Sequence, residues 1–65
     1  LMVLAKHIKN IRYEANISQE ELALRANIDR SFLSRLERGV ANPSYLVLLR
    51  ISEALEKPLK ELIPD

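Results

Sequence analysis

Sixty-five residues, 48% hydrophobic and 29% charged, describe one small globular domain, too short to bury a large core and too apolar to stay disordered. The absence of cysteine excludes a disulfide framework and thiolate metal sites, so good packing or a partner subunit must hold the chain together. A net charge of +1 does not announce a nucleic-acid partner, yet Arg25, Arg30, Arg35 and Arg38 cluster against only Asp29 and Glu37.

No apolar run is long enough to span a bilayer and no signal peptide is recognisable, so the expected compartment is the cytoplasm. The chain begins on Leu1 rather than Met, which suggests residues ahead of it.

A single glycine, three prolines and no apolar alternation argue against strands and for an all-α domain of five helices covering residues 1–65. Leu4, Ile8, Ile11 and Ala15 recur at three- and four-residue steps, the stripe of a first helix that Asn16 can end in the left-handed conformation. Ser18 three residues before Glu21 spells a capping box, with Ile17 and Leu22 placed as the hydrophobic staple around it. The second helix starts there and is short, because Asn27 can turn the chain and Asp29 can cap a third helix, with Ile28 and Leu33 as its staple. That third helix is expected over residues 30–38, ending at Gly39. After a loop at 40–43, Ser44 caps a fourth helix with Leu48, Ile51, Ala54 and Leu55 on one face. Pro58 suits the first turn of a fifth, containing Leu59 and Leu62.

The functional signal lies in the third helix. At about 100° per residue, Arg30, Ser34, Arg38, Ser31 and Arg35 fall within an arc of about 140°, opposite Phe32, Leu33 and Leu36. Such a helix fits the major groove of B-DNA, where Arg can donate twice to guanine and Ser can read several base edges. Arg30, Ser31, Ser34 and Arg35 are the candidate base readers, with Arg38 nearer the DNA backbone. On an arbitrary helix the same face would be a solvated cationic surface; two capped helices joined by about three residues favour the DNA reading. Gln19, opening the second helix, and Asn42, beyond the third, are candidate phosphate donors. Gln19 could also be a surface residue beside its cap, and Asn42 a turn former before Pro43.

The stretch SQEELALRANIDRSFLSRLERG at residues 18–39, with IRYE before it and NPSYLVLLRISEAL after it, resembles the lambda-repressor and Cro-like (XRE) helix-turn-helix family. Gln19, Ala23, Ala26, Ile28, Leu33 and Leu36 match its pattern; Asn16 and Asn27 stand where it often has Gly, and both keep access to positive φ. The resemblance implies a compact five-helix DNA-binding fold with the second and third helices as the motif. It also implies an ion pair between Arg12 and Glu37 that locks the third helix; two exposed charges would instead be worth under about 1 kcal/mol. The segment NIDRSFLSRLERG is similar to controller proteins of restriction–modification systems, which makes Arg30 and Ser31 prime operator readers. The loop after Gly39, often basic in relatives, is Val40 and Ala41 here, so fewer phosphate contacts are expected there.

The resemblance also implies a dimer interface on the fourth helix and the segment after it. Leu46, Val47 and Leu49 lie outside the Leu48 and Ile51 stripe, and the expected interface is Leu46, Leu49, Leu59 and Ile63, although Leu59 and Leu62 could equally be core. A homodimer would read a pseudo-palindromic operator with half-sites roughly 34 Å apart. His7 stands without other metal-type ligands and reads as a surface residue. Tyr13 and Tyr45 read as packing or hydrogen-bonding residues, and adjacent Glu20 and Glu21 diverge on a helix, so no metal, cofactor or enzyme activity is expected. The competing reading is an antitoxin-like or regulatory protein-interaction module, whose partner is another protein.

Overall fold

The computed structural model describes residues 2–63. Its helices are α1 (Met2–Glu14), α2 (Gln19–Ala26), α3 (Arg30–Glu37), α4 (Tyr45–Leu55) and α5 (Leu59–Leu62), with no strand among the described residues. α2 packs on both α3 and α4, α1 lies against α3 and α5, and α5 also contacts α4.

The helix starts follow local chemistry. Ser18 Oγ accepts the backbone N–H of Glu21 at 3.0 Å and Ser44 Oγ that of Val47 at 3.1 Å, each satisfying one of the free donors of a first turn. The reciprocal half of the Ser18 box is not made, because the Glu21 carboxylate accepts instead from Arg25 Nε at 2.6 Å. Asp29 precedes α3 without a side-chain capping bond. Pro58 stands just ahead of α5 rather than in its first turn.

Four helix ends close in the same way. Beyond α3, Gly39 takes φ 78°, and the N–H groups of Gly39 and Val40 reach back to the carbonyls of Leu36 and Arg35, both at 3.0 Å. Met2 lies over Gly39, where a Cβ would meet its sulfur. Asn16 (φ 60°) and Asn27 (φ 56°) end α1 and α2 with equivalent bond pairs. Glu56, at φ 55°, does so after α4 with no sequence signal; the Lys57 N–H to Ser52 carbonyl bond of 3.0 Å holds it there. α3 is one residue shorter than expected, since Arg38 already belongs to this closure.

The core draws on every helix: Ile8, Leu22, Leu33, Leu36, Ile51 and Leu62 are fully buried, joined by Ala5, Ile11, Ala23, Ala26 and Leu55. The small Ala23 and Ala26 are buried on the inner side of α2. Three expectations need correcting. Ala15 lies past the end of α1 and is exposed, so it does not extend the buried stripe. Val47 packs against the core rather than adding to the outer surface of α4. His7 is half-buried, and its Nε2 pairs with the backbone carbonyl of Glu61, tying α1 to α5.

Candidate nucleic-acid interface

The α2–α3 pair turns at Asn27, where the left-handed residue redirects the chain and the Ile28 N–H bonds the Ala23 carbonyl at 3.0 Å. Ile28 and Phe32 are half-buried against the core, and Leu33 and Leu36 are sealed into it. This anchors one side of α3. On the other side Arg30, Ser31, Arg35 and Arg38 are exposed and Ser34 is half-buried.

Among the described residues, ion pairs join Arg12 to Glu37 and Arg25 to Glu21, and none involves Arg30, Arg35 or Arg38. Arg35 leans over the Phe32 ring, 5.8 Å from its centroid, and Arg38 Nε donates weakly to the Ser34 carbonyl at 3.3 Å. Arg25, counted with the basic cluster in the sequence, is paired along its own helix with both partners nearly half exposed, an arrangement that contributes little stability.

Behind the face lies a polar lock. Arg12 is 5% exposed, as is Glu37, and the two meet through Nε to Oε2 at 2.8 Å and a second guanidinium nitrogen to Oε1 at 2.9 Å. The remaining Arg12 nitrogen donates to the Ile17 carbonyl at 2.9 Å, and Gln19 Nε2 donates to Glu37 Oε1 at 3.0 Å. The hydrogen bonds to Glu37 raise the Arg12 pKa above its usual value against the opposing effect of burial. No buried side-chain nitrogen or oxygen among the described residues lacks a partner. The pair thus joins α1, the start of α2 and the end of α3 at one point.

The other candidates are more scattered. Gln19 is half-buried, with one amide hydrogen committed to Glu37, and Asn42 is exposed in the loop after α3. Tyr13 and Tyr45 are exposed rather than packed inside; the Tyr13 ring lies 4.7 Å from the Arg12 guanidinium carbon. On the surface around α4, Leu46 and Ile63 are exposed and Leu49 is half-buried, whereas Leu59 packs against the core.

One interaction went unread in the sequence. Ser31 Oγ donates to Asp29 Oδ2 at 2.6 Å, which is where the Asp29 carboxylate goes instead of capping. The Ser31 hydroxyl, then its backbone N–H and finally Arg35, hold the Asp29 carboxyl below the usual carboxylate range. An Asp two residues before a Ser at a helix start was the available signal.

A five-helix bundle whose second and third helices turn sharply at Asn27 and present a cationic outer face defines a helix-turn-helix protein of the DNA-binding type. The helix-turn-helix family matches residues 8–62, and the chain belongs to it, in the XRE-type branch of transcriptional regulators with DNA-binding members. It is similar to the restriction-modification controller protein C.AhdI of Aeromonas hydrophila, with TM-score 0.94 and 31% identity over 95% of this chain and 94% of that one. It is similar also to the N-terminal DNA binding domain of SinR from Bacillus subtilis, with TM-score 0.90 and 32% identity over 100% of this chain and 96% of that one. The immunity repressor protein of Bacillus phage phi105 is 41% identical over 54 residues, 83% of this chain; the match spans 38% of that repressor's length.

Proposed function

We propose that this chain is a sequence-specific regulator that binds double-stranded DNA as a homodimer, laying α3 in the major groove of each half of a pseudo-palindromic operator. The observation that carries the reading is the outer face of α3, where three exposed guanidinium groups form no ion pair among the described residues while the opposite face is locked in the core. Desolvated partners would have made those groups structural; left free, they can pair with guanine edges and phosphates. In this reading Arg30, Ser31, Ser34 and Arg35 face bases, and Arg38, Asn42 and the free amide hydrogen of Gln19 face the backbone. The whole unit acts as one domain in the cytoplasm without a cofactor, and similarity to C.AhdI supports a controller-like regulatory role.

Arg30→Ala and Arg35→Ala are each expected to weaken operator binding by about 1–3 kcal/mol and to relax one operator position, as measured by competition among operator variants. Equal losses on random DNA would make them phosphate contacts. Titration against salt should lower log K by about 0.9 for every phosphate neutralised, and a flat response would instead favour a protein partner.

Supporting the dimer is the exposed apolar surface around α4: Leu46 and Ile63 are 54% and 46% exposed, and Tyr45 stands beside Leu46. Leu46→Glu would place a charge where a two-fold partner must sit. Light scattering across concentration is expected to show a shift to monomer, and an unchanged mass would remove this surface from the interface.

A further inference from the structure

We propose that Asp29 is a specificity-determining residue that acts through Ser31: by taking the Ser31 hydroxyl hydrogen, it leaves the serine oxygen facing DNA as an acceptor, selective for bases that offer an amino group. The proposal rests on the reading of α3 as the groove-bound helix.

A serine hydroxyl has one hydrogen to give and two lone pairs to receive with. Left free, it rotates to suit whichever base edge it meets, and it carries little sequence information. Ser31 is not free. Its Oγ lies 2.6 Å from Asp29 Oδ2, the short distance of a hydrogen bond to an ionised oxygen. The direction of that bond follows from the partner: an ionised carboxylate has no hydrogen of its own, and Asp29 is fully exposed with its ionised form favoured by its neighbours. The hydrogen therefore belongs to Ser31 and points at Asp29, and lone pairs remain for the groove. Ser34, one turn further along the same face, makes no side-chain hydrogen bond among the described residues and keeps both options.

In the major groove adenine and cytosine present N6 and N4 amino hydrogens, whereas guanine O6 and N7 and thymine O4 present lone pairs. An acceptor-only serine gains a hydrogen bond from the first two. It sets lone pair against lone pair with the other two, and the fixed Asp29 charge strengthens that repulsion. Asp29 makes no well-formed capping hydrogen bond to α3, although the nearby Ser31 N–H favours its carboxylate, so the small loss of helix stability expected on its removal is read separately by thermal unfolding.

The test measures relative affinities for the four base pairs at each operator position, using fragments first selected from random duplexes. Wild type should prefer an adenine or cytosine at the position whose preference Ser31→Ala abolishes, by roughly five- to tenfold, the lower part of the range for one mismatched pair. Asp29→Ala should reduce that preference to under about threefold while preferences at other positions survive. In the Ser31→Ala background the same substitution should change nothing further, because its effect passes through the hydroxyl. Retention of the full preference by Asp29→Ala would overturn the proposal. So would an equal effect of Asp29→Ala with and without Ser31, which would make Asp29 a direct reader of cytosine. A wild-type protein with no preference at any position would instead defeat the groove-bound reading itself. Thermal unfolding of Asp29→Ala separates a lost preference from a lost fold.

Discussion

Glu37→Ala should destabilise the protein by about 3–5 kcal/mol, measured as a fall in the urea midpoint at fixed protein concentration. The size follows from burial rather than from the attraction between the charges. Both members of the Arg12–Glu37 pair are 5% exposed, so the truncation strands a guanidinium in a dry site and removes the acceptor of the Gln19 amide. Against a single-core stability of about 3–5 kcal/mol for a chain this short, such a loss would remove most of the margin. Replacing both partners, Arg12→Met with Glu37→Leu, should be far milder, because no charge is left without a partner and the desolvation cost disappears with the pair. If Glu37→Ala cost under about 1 kcal/mol, the pair would behave as a solvated surface contact and its role as a lock would fail. The double variant also separates stability from function: a folded protein with weakened operator binding would show that the pair sets the angle of α3.

The second large effect is expected at Leu33→Ala. Leu33 is fully buried on the inner side of α3, and its truncation combines lost burial with a cavity that the surrounding helices fill only in part, for a cost of about 2–5 kcal/mol. Even the lower figure should depress the melting temperature by roughly 10 °C in a domain of this size. Leu33 is sealed into the core rather than exposed on the outer side of α3, so its effect on operator binding should vanish under conditions where the variant is folded. A melting temperature within about 2 °C of wild type would mean that α3 is not anchored through this side chain.

The helices and their ends were legible because their signals are confined to one turn of chain. Ser18 and Ser44 each bond an N–H three residues away, and Asn16, Asn27 and Gly39 adopt positive φ where a helix must stop. The cationic face of α3 was equally legible, since helical geometry alone separates Arg30, Ser34 and Arg38 from Leu33 and Leu36. Glu56 escaped because nothing in a glutamate announces φ 55°. Val47 escaped because the apolar arc of α4 widens only when two neighbouring helices contact it.

By itself, then, the sequence determined five helices, their order and which side of α3 would be charged, because these depend on neighbours within four residues. Only the tertiary structure decided whether charges would be buried or solvated. Arg12 and Glu37 are twenty-five positions apart and become a dry pair because α1 crosses the end of α3, while His7 gains a partner because α5 returns to α1. Burial depends on which segments meet across the core, and that is a property of the assembled chain rather than of any one stretch of it.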